Sequence, residues 1–181
     1  RQFSLKGKSD PQVSMIYETG KSFQQNAILP QGAIPLRNNT AAIGLLNVNG
    51  NWNRPFESID ELLQGQVAGL QSIRRSGATS KGANLMLRGQ NSLHGTNMPL
   101  LVVDGMLFDP ADYGNSLMGG NYTNPLSLIN SQDIDNVSVI KDASSEYGSK
   151  GANGAIIITT GRAKRQATSI DFGIYGSYNH M

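Results

Sequence analysis

The chain contains no cysteine, which excludes disulfides and thiolate metal sites and leaves the cellular compartment open. Histidine is scarce. His94 and His180 stand far apart, neither in an H-x-x-x-H spacing, and this argues against a zinc site. Hydrophobic residues make up 38% of the chain, below the roughly 45–50% of ordinary globular domains. No apolar run approaches the ~20 residues of a transmembrane helix, so a membrane is reachable only through a β-barrel. Charge of one sign is also lacking. Fifteen Lys and Arg against thirteen Asp and Glu leave +2, too little for a nucleic-acid footprint. The one dense basic cluster, Arg162, Lys164 and Arg165, reads as a solvated connector. There is no initiator Met and no leader at Arg1, as expected of a mature or trimmed segment. The single tryptophan, Trp52, reads as an interface anchor or a covered loop residue.

Glycine and asparagine are abundant instead, with 21 and 17 residues in 181. Both tolerate positive φ cheaply, so much of the chain is expected in turns. Residues 1–55 carry no strong period. Pro30, Pro35 and the polar run 47–53 read as loop, and residues 12–19 fit at most a short strand. An N-terminal extension or linker is the plain reading.

From residue 56 onward the signals sharpen. Ser58 and Glu61 have capping-box spacing, and Leu62, Leu63, Gln66, Val67 and Leu70 fall on one helical face. This predicts a helix of about three turns, stopped near Gly69, with a strand over 70–74. Leu85 and Leu87 alternate in a strand that breaks at Gly89. Residues 99–104 form an apolar run closed by the turn dipeptide Asp104-Gly105. Residues 107–124 read as a loop rich in Gly, Asn and Tyr. A capped turn over 130–135, a strand over 136–141, a short helix from Asp142 through Glu146 stopped by Gly148, and a β-branched strand over 155–160 complete the series. The pattern predicts an α+β domain on a small mixed sheet. Residues 169–179 alternate over eleven positions, the length of a tilted transmembrane β-strand. An edge strand of the soluble domain reads as well from the residues alone.

Residues 133–160, DIDNVSVIKDASSEYGSKGANGAIIITT, closely resemble the plug signature of SusC/RagA-type TonB-dependent outer-membrane transporters. Two further blocks agree in order: residues 58–70 resemble that family's L-x-G-x-V-A-G-L helix, and Leu87-Arg88-Gly89 with PLLVVDG at 99–105 resembles its Arg-Gly and Val-Val-Asp-Gly pair. The likeness covers residues 58–165. It implies an extension over 1–55, a plug domain over 56–165, and a connector with the first barrel strand over 166–181, the rest of the barrel being absent.

The same resemblance implies a plug that gates the lumen of an outer-membrane importer of glycans or peptides, facing the periplasm. Its partners would be a SusD-like surface lipoprotein, TonB and the remainder of its own β-barrel. It implies no cofactor, no metal, no enzyme and no nucleic acid. The plug–barrel packing or gating candidates are Arg88, Gly89, Asp104, Gly105, Lys141, Asp142, Tyr147, Gly148, Gly151, Asn153 and Gly154. Arg88 would face a carboxylate of the barrel wall. The ligand- or lid-facing candidates are Phe108, Asp112, Tyr113, Asn121 and Tyr122. The chain departs from the pattern in two places. The segment Ser144-Ser145-Glu146 is shorter than the family's, and residues 1–55 show no TonB box. The second departure keeps another reading open, a scaffold subunit of a larger outer-membrane assembly with a permanently closed plug.

Other chemistry finds little footing. Gly148, Gly151 and Gly154 are spaced G-x-x-G-x-x-G, which is neither the dinucleotide fingerprint nor a P-loop. Asp104, Asp109 and Asp112 supply hard oxygens, but without EF-hand spacing, and turn formation explains them more simply. No G-x-S-x-G elbow is present, nor a histidine placed to activate a serine.

Overall fold

The computed structural model describes residues 25–47, 58–74, 77, 81–108 and 125–161. Nine strands and two short α-helices are found among them: β1 Asn26–Leu29, β2 Gly32–Pro35, β3 Ile43–Asn47, α1 Ile59–Leu62, β4 Leu70–Arg74, β5 Ala83–Leu87, β6 Leu100–Val103, β7 Met106–Phe108, β8 Ile134–Ile140, α2 Ser144–Tyr147 and β9 Ala155–Thr160. Short 3-10 turns lie at Leu36–Asn38, Pro125–Leu128, Ser131–Asp133 and Gly148–Gly151.

The centre is a five-stranded sheet in the order β3-β8-β9-β6-β7. β9 pairs antiparallel with β8 and parallel with β6, so the sheet is mixed. As its middle strand, β9 is covered on both faces. That is why its residues form a continuous apolar, β-branched run without alternation. Ile156 and Ile158 face one core together with Val137, Val139, Leu101 and Val103. Ala155 and Ile157 face a second core with Leu100, Val102 and Ile140.

Two different layers close these cores. The first is closed by α1, the antiparallel pair β4–β5 and the turn carrying Leu126; Ile59, Leu63, Leu85, Leu87 and Leu126 are all essentially inaccessible to solvent. The second is closed by the hairpin β1–β2, through Ala27 and Leu29, with Ile34, Leu36, Ala143 and Tyr147 packed beside them.

The observed elements refine the expectations at several points. The strands over 70–74, 83–87, 100–103, 134–140 and 155–160 stand where the hydrophobic pattern puts them. The three-turn helix is a single turn. Gly65 and Gly69 adopt φ of 73° and 84°, and successive tight turns from Leu63 to Leu70 replace the helical ladder. Ser58 is buried but makes no side-chain cap, and Glu61 pairs with Arg74 at 3.1 Å instead of reaching back to close a capping box. Phe108 ends a strand, β7, where a loop from 107 is expected. The stretch before residue 56, in which no period is visible, supplies a hairpin and β3. The latter extends the central sheet by pairing with β8 from Ile43↔Ile140 to Asn47↔Asn136. The alternating segment 169–179 and the basic cluster at 162–165 lie outside the described residues, as do Trp52, Asp109 and His180.

Candidate functional site

Residues singled out in two separate stretches of sequence, 104–105 and 148–154, converge on the two ends of β9. At its C-terminal end, Asp104 and Gly105 form the two-residue turn between β6 and β7, with φ of 48° and 85°. Consecutive left-handed residues give the turn a twist that matches the flanking strands. The Asp104 side chain also reaches across to β9. One carboxylate oxygen accepts the Thr160 backbone N–H at 2.9 Å, and the other accepts the Thr160 hydroxyl at 2.6 Å. The Asp104 N–H in turn donates to the Ile158 carbonyl at 3.0 Å. Turn chemistry therefore accounts for this aspartate, and it doubles as a clasp on the central strand.

At the N-terminal end of β9 the chain passes through the small-residue loop 148–154. Gly148 has φ of 62° and ends α2. Gly151 lies against the Ala143 carbonyl carbon, which an added Cβ would approach to 2.8 Å. Gly154 has φ of 86°, and a Cβ there would run into the Leu87 side chain and come within 2.8 Å of the Ile140 carbonyl. Close backbone approach, and not only a turn, thus demands glycine at this position. Its carbonyl accepts the Leu100 N–H at 2.9 Å, joining the residue just before β9 to the first residue of β6. The Asn153 amide donates to the Thr96 carbonyl at 2.7 Å, which ties this loop to residues 91–98.

The other candidates take more peripheral places. Arg88 is exposed, with φ of 60°, and its backbone N–H donates to the Gly69 carbonyl at 2.8 Å. Left-handed backbone on a non-glycine residue carries strain, and here it turns the chain out of β5 beside Gly89. The Lys141 N–H donates to the Ala42 carbonyl at 3.0 Å, at the end of the β3–β8 pair. Asp142 accepts from the Ser144 hydroxyl at 2.9 Å. Tyr147 is half-buried against the second core. Burial first, and then the neighbouring Glu146 carboxylate, push its phenol above the ordinary value of 10.0. Phe108 packs against the first core. Asp112, Tyr113, Asn121 and Tyr122 lie outside the described residues.

Two polar features were not found by sequence reasoning. Asp60 is fully buried; its side chain accepts the Ala83 N–H, and its carbonyl accepts the Ser72 hydroxyl at 2.7 Å. It therefore fastens α1 onto β4–β5. An aspartate in the first turn of a helix is ordinary, so no sequence signal marks this role. Asn97 organises the turn 91–97: its side-chain oxygen accepts the N–H groups of Asn91 and Ser92 at 2.8 and 2.7 Å. The density of Asn, Ser and Gly there is the one available hint. His94 and Leu93 are exposed on this turn. Among the described residues no group of three His, Cys, Asp or Glu is arranged to hold a metal ion. What the convergent residues do is mechanical: they fix the register and both ends of the buried central strand.

A small mixed sheet whose central strand is locked by the Asp104-Gly105 turn and the Gly-rich loop 148–154, and is closed on both faces, is the architecture of a plug. The family model of the TonB-dependent receptor plug domain matches residues 37–155, and the chain belongs to that family. Over 154 residues it is 32% identical to TonB-dependent receptor P26 of Formosa agariphila, covering 84% of this chain and 14% of that protein. Over 115 residues it is 40% identical to TonB-dependent receptor SusC of Bacteroides thetaiotaomicron, covering 62% of this chain and 11% of that one. The structure of the RagAB peptide importer in its open-open state superimposes with a TM-score of 0.65 at 28% identity, over 80% of this chain and 15% of that one. The plug is of the SusC/RagA type. The chain spans about one-seventh or less of the length of these curated relatives.

Proposed function

We propose that this plug closes and gates the lumen of an outer-membrane nutrient importer. The barrel would be built by chain outside these residues, and the plug would face the periplasm within it. The observation that carries the reading is the double fastening of β9, by Asp104 at one end and by Gly154 with Asn153 at the other. A stopper must resist solute passage without a large core, and pinning the central strand through turns achieves this in a chain of modest apolar content. The likeness to SusC and to the RagAB peptide importer supports glycans or peptides as cargo. The same likeness supports a SusD-like surface lipoprotein and TonB as partners. Arg88, exposed at the end of β5, is placed by this reading against a carboxylate of the barrel wall. The loop from Phe108 through Asn124, with Asp112, Tyr113, Asn121 and Tyr122, is its ligand- or lid-facing surface.

The intact protein tests this directly. Binding of the purified protein to the periplasmic domain of TonB, and loss of ligand capture on shortening the 109–124 loop while the barrel still folds, are the expected results. Absence of TonB binding together with stable copurification of other envelope proteins would replace the importer by a closed scaffold. Unchanged uptake by the shortened-loop variant would remove the loop from the ligand surface.

A further inference from the structure

Like the pair β4–β5, the hairpin β1–β2 is a separate two-stranded sheet packed on the central one, but far less of it is buried: Ala27 and Leu29 alone, against Leu70, Ser72, Ala83, Leu85 and Leu87 in β4–β5. The two strands of the hairpin pair only with each other, from Asn26↔Pro35 to Leu29↔Gly32. Among the described residues no backbone hydrogen bond joins it to the five-stranded sheet. Side chains alone hold it there, chiefly Ala27 and Leu29, with Ile34 and Leu36 half-buried beside them. The next strand, β3, is laddered onto β8 over five residue pairs. Between the two runs a short connector, residues 39–42, of which 40–42 are exposed. The hairpin also precedes the residues that match the plug family model, which begin at 37.

The seal it makes is incomplete. A cleft remains between the hairpin tip and the sheet, lined by Ile28, Leu29 and Pro30 on one side and by Val102, Ile157 and Thr159 on the other. Beneath the same cover, Ser138, paired across the ladder with Ile157, is buried with its hydroxyl unpartnered. A buried hydroxyl without a hydrogen bond costs free energy that exposure to water relieves. Free energies of local opening vary widely within one protein. A segment held by few apolar contacts and no ladder sits at the low end.

We propose that β1–β2 is a detachable strap. It lifts from the sheet as a unit about residues 39–42 and bares Val102, Ile157 and Ser138, while β3-β8-β9-β6-β7 stays folded. The plug thus has an open form that keeps its central sheet. This goes beyond the gating reading and holds whatever the barrel carries.

Thiol labelling of the intact protein tests it, since this chain brings no cysteine of its own. Val102 and Val137 are both buried, at 2% and 0% exposure, but Val102 lies under the hairpin and Val137 faces the opposite core. With N-ethylmaleimide under native conditions, Val102→Cys is expected to react at least roughly tenfold faster than Val137→Cys. Adding Leu29→Ala should accelerate the first by about tenfold or more and leave the second unchanged. Equal rates at the two positions, or acceleration of both by Leu29→Ala, would show that the hairpin opens only with the whole sheet and would overturn the proposal. Hydrogen exchange on the unsubstituted protein decides the matter if either cysteine variant fails to fold. Amides of residues 27–34 should open at lower urea than those of 155–158, and a single shared opening transition would overturn the strap.

Discussion

On one face of the five-stranded sheet, Ile156 and Ile158 of β9 share a core with Leu63, Leu85, Leu87 and Leu126. On the other, Ala155 and Ile157 share one with Ala27 and Leu29 of a two-stranded hairpin. The first cover is thick, and its own parts are braced together by polar bonds, among them the Asp60 contacts that join α1 to β4 and β5. The second is thin, rich in alanine and held by side chains. One sheet can therefore be rigid against one layer and separable from the other. The difference comes from how much each cover buries and how it is braced, because neither is laddered onto the central sheet.

The sharpest way to break this contrast is at Gly154, just before β9. Valine there meets both a left-handed φ and the Leu87 and Ile140 atoms. The expected loss is about 3 kcal/mol or more of plug stability, read as collapse of hydrogen-exchange protection across β8 and β9 together. A loss confined to the loop would mean that the junction relaxes and that the close approach does not matter.

A smaller effect separates the covers themselves. Leu85→Ala in the thick layer should cost about 2–5 kcal/mol, felt throughout the central sheet. Leu29→Ala removes the same atoms from a buried site, but its effect on the sheet should be roughly half that or less, since the hairpin can open by itself. Equal losses at β9 from the two substitutions would erase the distinction between the faces.

The smallest effect lies at Tyr147, at the margin of the thin side. Burial, and then Glu146, raise its pKa in the folded state above the unfolded value. The folded state therefore keeps its proton longer than the unfolded one. The stability this contributes is whole below the unfolded value near 10 and drains away as pH climbs through the folded value. Tyr147→Phe should flatten the alkaline limb of a stability profile taken from about pH 9 to 11. An unchanged slope would show that Tyr147 does not govern it.

Legibility in the sequence followed the strength of local patterning. β9 could be read because a strand covered on both faces must be apolar at every position, and β5 because a half-covered one alternates. The turn at Asp104-Gly105 was visible because few dipeptides accept two left-handed residues. The helix after Ser58 was overextended: apolar residues at helical spacing also suit a series of tight turns, and the left-handed Gly65 and Gly69 select the turns. β1 and β2 were missed because Pro30 and Gly32 stand at the turn that joins them and read as loop, and β3 because its residues, IGLLN, neither alternate nor form a β-branched run.

By itself, the sequence determined the class of domain, the core strands and the plug-family membership. Periodicity, turn dipeptides and ordered motif blocks are local properties that survive without coordinates. Only the tertiary structure decided which residues the motifs serve. Asp104 clasps Thr160 from 56 positions away, Asn153 holds Thr96 from 57, and the hairpin rests on strands more than 60 residues downstream. Such pairings depend on how strands are ordered in space, and strand order leaves no trace in the spacing of residues along a single chain.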